Sequence, residues 1–246
     1  MHLTIITGAS RGLGLAMAAQ LLAEGHRVLA ISRRAPELAV PPGAELIAWT
    51  ADLAEPAPVA ARLEQWLGEQ DAAALASATL INNAGVVSKL APLAAIEAAD
   101  LANAIRVGLE APLLLTAAFL RATAAWTAPR KVLLISSGLG RRGMAGSASY
   151  CAAKAGMDNL ARALALEEAD RPNGTRVVSL APGVIDTDMQ VHLRSADPAL
   201  FGERERFVAF KAEGLLDSPA AAAAKVLHCL AQPDFGSEPV GSVRAP

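Results

Sequence analysis

The sequence predicts an α/β fold, a doubly wound parallel sheet built as a single domain over residues 1–246. Three observations predict it. Short apolar or β-branched runs alternate with longer Ala- and Leu-rich segments of helical spacing, the pattern of strands joined by crossover helices. The short runs are almost continuously apolar, as in strands buried on both faces of a sheet. A glycine cluster follows the first run directly, where such folds turn from strand to helix.

The elements follow in order. Leu3–Thr7 is the first strand and Gly12–Glu24 the first helix. Arg27–Ser32 and Glu45–Trp49 are the second and third strands, with the break Pro41-Pro42-Gly43 between them. Pro58–Gln70 is a helix leading to the fourth strand, Thr79–Asn82. Leu101–Trp126 predicts one long, mostly buried helix; Arg106, Glu110 and Arg121 interrupt its apolar run and argue against a membrane span. Lys131–Ser136 is the fifth strand and Tyr150–Ala169 the next helix, ended by Arg171-Pro172-Asn173-Gly174 before the sixth strand, Arg176–Leu180. Ala220–Ala224 is low in complexity but is good helix former.

Hydrophobic residues make up 53% and charged residues 19%, which describes a globular chain and not a disordered one. A formal net charge of −2 offers no basic footprint for nucleic acid or anionic lipid. Cys151 and Cys229 form no CxxC pair, and the four histidines are scattered, so neither a disulfide framework nor a metal site is expected. The N-terminus enters an apolar strand with no basic segment and apolar core ahead of a cleavage site, so a cytoplasmic protein is expected.

The first turn reads Thr7-Gly8-Ala9-Ser10-Arg11-Gly12-Leu13-Gly14. Glycine permits a tight turn and close approach of backbone to a pyrophosphate, and the following helix offers free N–H groups to phosphates. Between a first strand and a first helix, the cluster marks a Rossmann-type dinucleotide site; elsewhere it would be a simple turn. Its spacing departs from G-x-G-x-x-G and resembles the T-G-x-x-x-G-x-G turn of the short-chain dehydrogenase/reductase family. That resemblance implies cofactor contacts from Gly8, Ser10, Arg11, Gly12, Leu13 and Gly14. Asp52-Leu53 resembles the family's adenine-contacting segment, and Asn82-Asn83-Ala84-Gly85 its N-N-A-G motif, which lines the cofactor through Asn83, Ala84 and Gly85. Pro182, Gly183, Val184 and Thr187 resemble the segment at the nicotinamide end.

Charge selects between cofactors. An NAD-selective site usually ends the second strand in a carboxylate that holds the ribose hydroxyls. Here the strand ends Ala30-Ile31-Ser32-Arg33-Arg34, with Ser32 in the acidic position. Arg33 follows it and Arg11 lies in the glycine turn; two guanidinium groups suit a 2′-phosphate. NADP(H) is therefore the expected cofactor, and Arg34 is read as surface.

Tyr150 and Lys154 stand one turn apart on one helix face. An adjacent ammonium favours phenolate and should bring the phenol nearer its working range. Tyr150 is the sole tyrosine. Ser137 follows the fifth strand at the end that borders the ligand crevice, while Ser136 should point away and be structural. The spacing of Ser137, Tyr150 and Lys154 matches the family's catalytic set. The resemblance implies direct hydride transfer, with Tyr150 donating the proton and Ser137 stabilising the oxyanion. Lys154 would lower the phenol pKa and hold the nicotinamide ribose.

The chain departs from the family at Gly108, which stands where an asparagine commonly holds a relay water; Asn103 is more than one turn away and is not expected to replace it. The segment 187–216 should vary and close over substrate. Leu139, Met144 and Met189 are candidates for an apolar pocket, and His192 is read as surface. The ending Phe235-Gly236-Ser237-Glu238-Pro239-Val240-Gly241-Ser242-Val243, with Asp186-Thr187-Asp188-Met189-Gln190, resembles the sepiapterin and benzil reductase branch, with Ser242 in place of its pterin-reading aspartate. The expectation is an NADPH-dependent carbonyl reductase acting on a small ketone or vicinal dicarbonyl, as a homodimer or homotetramer. An NAD(P)-dependent alcohol dehydrogenase and a catalytically weak NADPH-binding sensor remain the alternatives.

Overall fold

In a computed structural model, which describes residues 1–243, the apolar runs become strands β1 (His2–Thr7), β2 (Arg27–Ser32), β3 (Glu45–Thr50), β4 (Ser77–Asn82), β5 (Arg130–Ile135), β6 (Arg176–Ala181) and β7 (Val240–Ser242). All pair in parallel, in the order β3-β2-β1-β4-β5-β6-β7. The six longer strands stand where the sequence puts them, to within two residues at each end. The seventh escapes it: three residues, one of them Gly241, carry no readable strand pattern.

Helices α1 (Gly12–Ala23), α2 (Pro56–Gly68), α3 (Ala98–Ile105), α4 (Ala111–Ala122), α5 (Ala148–Ala169), α6 (Asp188–Arg194), α7 (Arg204–Ala212) and α8 (Pro219–Ala231) complete the chain. Pro56 opens α2, and Pro219 opens α8 behind Ser218, whose hydroxyl accepts from the Ala221 N–H. Both placements use the first helical turn, where the missing N–H of proline does no harm.

Alternate strand residues fill two cores. Leu3, Ile5, Leu29 and Leu80 pack with Leu63 of α2, Phe119 of α4 and Met157 of α5 on one face. Ile6, Val28 and Ile81 pack with Met17 of α1 and Val226 of α8 on the other. Each fully buried Leu, Ile or Phe contributes about 1.5–3 kcal/mol, so neighbouring Ile5 and Ile6 clamp opposite layers onto one strand.

The expected long helix forms as one continuous run, Ala98–Ala122, in which a π-helical turn at Arg106–Glu110 joins α3 to α4. The correction is at its end, since α4 stops at Ala122 and leaves Trp126 outside it. Pro112 sits in the first turn of α4, where it is tolerated, and the wide turn before it takes up the change of register. The run Ala98–Ala122 is long and apolar enough to cross a membrane by length and composition, but half of its most apolar window is buried in this fold, against α2 and α5.

Candidate active site

At the carboxyl edge of the sheet lies a cavity of about 670 Å³. It opens where strand order reverses between β1 and β4, the switch point at which open α/β sheets bind ligands. Every cofactor and catalytic residue singled out from the sequence lines it.

The glycine turn forms one end. Gly8 and Gly12 adopt φ values of 70° and 56°, which favour glycine. A Cβ on Gly14 would fall 2.3 Å from the Gly8 carbonyl oxygen, so β1 and α1 approach as closely as they do only because Gly14 has none. Asn83 holds the turn from β4: its amide donates to the Thr7 and Gly8 carbonyls at 3.0 and 3.2 Å. The Thr7 hydroxyl in turn accepts from the Asn83 and Ala84 N–H groups. Asn83 is thus a brace for the turn as well as a lining residue.

At the adenine end, the Ser32 hydroxyl donates to the Arg34 carbonyl at 2.7 Å, and the Asp52 carboxylate accepts from the Ala54 N–H at 2.9 Å. Arg33 and Arg34 are exposed; Arg33 borders the cavity and Arg34 does not. Arg11 is turned across the mouth to Asp188, at 2.6 Å. Nothing in the local sequence announces that pair, which joins positions 177 residues apart.

The other end holds Ser137, Tyr150 and Lys154. Ser137 caps a 3-10 turn at Gly138–Gly140, its hydroxyl accepting from the Leu139 N–H at 3.2 Å. Lys154 is buried and donates to the Ile135 carbonyl at 2.6 Å, with its Nζ 5.5 Å from the Tyr150 ring centre. Burial pulls Lys154 down to about 8, with Asp158 opposing. Burial also pushes the Tyr150 phenol up to about 12, with its hydrogen bond to Ser137 opposing. The expected lowering of the phenol by its ammonium neighbour is therefore a correction: desolvation dominates both groups.

Ser136 points away from Ser137, donating to Asp158. Gly108 is buried in the π turn, where an added Cβ would stand 3.1 Å from the Ala153 Cβ. Asn103, set aside on spacing, does line the cavity. The substrate side brings together Leu139, Met144 and Met189 with Leu193, Phe207 and Phe210, and Ser242 borders it; His192 is exposed and outside. The sequence reading missed Gln190, Leu193, Arg206, Phe207 and Phe210. They sit in α6 and α7, and no motif marks them. No cluster that could hold a metal ion occurs among the described residues.

A profile of the short chain dehydrogenase family matches residues 2–198. A benzil reductase, (S)-benzoin forming, of Bacillus cereus is 34% identical over 239 residues, covering 96% of each chain. A sepiapterin reductase of Meriones unguiculatus is 35% identical, covering 95% of this chain and 92% of that one. A metagenomic short-chain oxidoreductase solved in complex with NADP superposes with a TM-score of 0.73 at 28% identity, covering 100% of this chain and 97% of that one. The strand order, the glycine turn and these likenesses agree: the chain belongs to the short-chain dehydrogenase/reductase family of oxidoreductases, on the branch of the benzil and sepiapterin reductases.

Proposed function

We propose that the protein is an NADPH-dependent carbonyl reductase acting on a small ketone or vicinal dicarbonyl, with Tyr150 as general acid. The observation that supports it most is a single cavity with a bare glycine turn at one end and Ser137, Tyr150 and Lys154 at the other. The residues present fit a nicotinamide dinucleotide. Gly8 and Gly14 lack side chains where a Cβ would strike Ala84 or the Gly8 carbonyl, which leaves backbone N–H groups at the start of α1 free to face phosphates.

Bound NADPH supplies the hydride. Tyr150 keeps its proton across neutral pH because burial raises its pKa, and it donates that proton to the carbonyl oxygen as charge develops there. Ser137 hydrogen-bonds the same oxygen. Lys154, a cation below about pH 8, stabilises the phenolate left behind. The C-terminal end of β2 presents Ser32 and no carboxylate to a 2′-phosphate, while Arg11 and Arg33 border the position. The Arg11–Asp188 pair is mostly exposed, contributes about 0–1 kcal/mol, and gives way readily to a phosphate dianion.

The apolar wall of Leu139, Met144, Met189, Leu193, Phe207 and Phe210 suits an aromatic or small apolar substrate under the covering segment 187–216. Likeness to benzil and sepiapterin reductases supports a vicinal dicarbonyl, and Ser242 favours a plain diketone over a pterin. A homodimer or homotetramer in the cytoplasm completes the reading. Leu113 on α4 and Leu166 on α5 are exposed apolar residues available for assembly, and Cys151 and Cys229 are free thiols. The test is oxidation of NADPH and of NADH with a vicinal diketone, beside Tyr150→Phe. Rapid turnover with NADPH, lost in the variant, is expected. Tight NADPH binding with no turnover on any carbonyl would replace the reductase with a nucleotide-binding sensor.

A further inference from the structure

Asp158 is a buried carboxylate that the scheme above leaves unused. It stands one turn after Lys154 on α5 and is 1% exposed. Its Oδ1 accepts from the Ser136 hydroxyl at 2.6 Å and from the Ser179 hydroxyl at 2.7 Å. Those hydroxyls come from the residue just after β5 and from β6, so one oxygen ties α5 to two strands. Oδ2 is buried with no hydrogen-bond partner, and Arg141 Nε lies 3.9 Å from it.

The turn after Ser137 presses onto this same carboxylate. A Cβ on Gly140 would fall 2.6 Å from Oδ2 and 3.0 Å from the Lys154 carbonyl oxygen. The segment that carries Ser137 therefore seats on α5 at the carboxylate. Joining a helix to strands does not require a buried anion, and burying one costs several kcal/mol. Its charge needs a purpose, and the buried ammonium of Lys154 is one turn away.

The surroundings of Lys154 are otherwise poor in charge. Tyr150, whose ring centre lies 5.5 Å from Nζ, and Asp158 stand one turn before and one turn after it on α5, and Arg141 stands beyond the carboxylate in the turn after β5. The β4 turn offers Gly85, whose Cβ position is 3.8 Å from Nζ, and the π turn sets Gly108 against Ala153. The ammonium's hydrogen bonds go to the Ile135 carbonyl and the Met157 sulfur. Asp158 is the group that opposes desolvation of Lys154.

We propose that Asp158 is a positioning residue for the Ser137–Tyr150–Lys154 group: its carboxylate ties the segment bearing Ser137 to α5 and sustains the positive charge on Lys154. Its effect on turnover rests on the carbonyl-reductase reading, whereas its effect on Lys154 does not. Asp158→Asn keeps the shape and one acceptor for the serines while removing the charge. In protein labelled with [ε-13C]lysine, the Lys154 resonance is identified by its absence from Lys154→Arg and then titrated. In Asp158→Asn it should lose its proton at least about half a pH unit earlier. The alkaline limb of kcat/KM for diketone reduction should move the same way.

Superimposable Lys154 titrations in wild type and Asp158→Asn would overturn the proposal. A wild type that turns over no carbonyl would instead sink the reductase reading, with the titration still decisive for Asp158. Should Asp158→Asn fail to fold, the paired Ser136→Ala, Ser179→Ala variant carries the test. It frees the carboxylate from both strands but leaves its charge, so Lys154 should titrate as in wild type while kcat falls at least about tenfold. A wild-type kcat would refute the role.

Discussion

Replacing Lys154 with methionine should change the stability of the cofactor-free protein in a way that reverses sign with pH. The native pKa of about 8 lies below the unfolded value of 10.5. Between those values the unfolded chain binds a proton that the native protein lacks, so wild-type stability rises with pH across that window. Below pH 8 the fold carries the whole desolvation penalty, about 3 kcal/mol at about 1.36 kcal/mol per unit. Methionine removes that penalty and also the hydrogen bond to the Ile135 carbonyl, which is worth about 2 kcal/mol for a charged donor. Lys154→Met should therefore be about 1 kcal/mol more stable than wild type at pH 7. By pH 9.5 the wild type has recovered about 2 kcal/mol and should be the more stable by about 1. Tyr150 does not disturb the comparison, since it is present in both proteins and burial keeps its native phenol protonated across this range. Urea unfolding of both proteins at pH 7, 8, 9 and 9.5 reads the difference. A constant offset over that range, or one that grows in the opposite direction, would refute the claim that burial holds this lysine down.

Three further outcomes are expected. Gly108→Asn should lose about 1–3 kcal/mol to crowding against Ala153, with part of it restored by Ala153→Gly in thermal melts. Arg33→Ala should raise KM for NADPH about tenfold or more and leave KM for NADH unchanged; equal effects on both would remove Arg33 from the 2′-phosphate site. Leu166→Lys, at a position 79% exposed on α5, should shift the light-scattering mass of the proposed oligomer toward the monomer while melting temperature at high dilution stays the same; an unchanged mass would remove Leu166 from that proposed contact.

The parts legible in the sequence are those fixed by local chemistry. Strand runs, the glycine turn and the one-turn spacing of Tyr150 and Lys154 are short-range patterns, and the fold keeps them. What escaped depends on distance along the chain. The π-helical turn at Arg106–Glu110 has only Gly108 to mark it, a residue that stands close to Ala153 on α5. Phe207, Phe210 and Leu193 look like ordinary helical apolar residues until α6 and α7 fold over the crevice. The direction of the Tyr150 shift was misread because spacing shows the neighbouring lysine but not the burial of both groups. Asp158 was unremarkable for the same reason: its serine partners lie 22 and 21 residues away, on β5's end and on β6.

The centre of the sheet has a bearing on how this chain comes to exist. β1 pairs with β4, Ile5 opposite Leu80, yet α1, β2, β3 and α2 must all emerge between them. Asn83 reaches back 76 positions to brace the first turn. Closing a loop of that length is slow relative to local structure formation. During synthesis, then, β1 spends an interval with one edge unpaired, presenting Leu3, Ile5 and Ile6 as a template for stray strands. The crevice is accordingly incomplete until β4 and Asn83 have joined β1. No N-terminal fragment ending before Asn83 contains a braced glycine turn, and retention of nucleotide by a shortened or permuted chain would report that its central strand pair had closed.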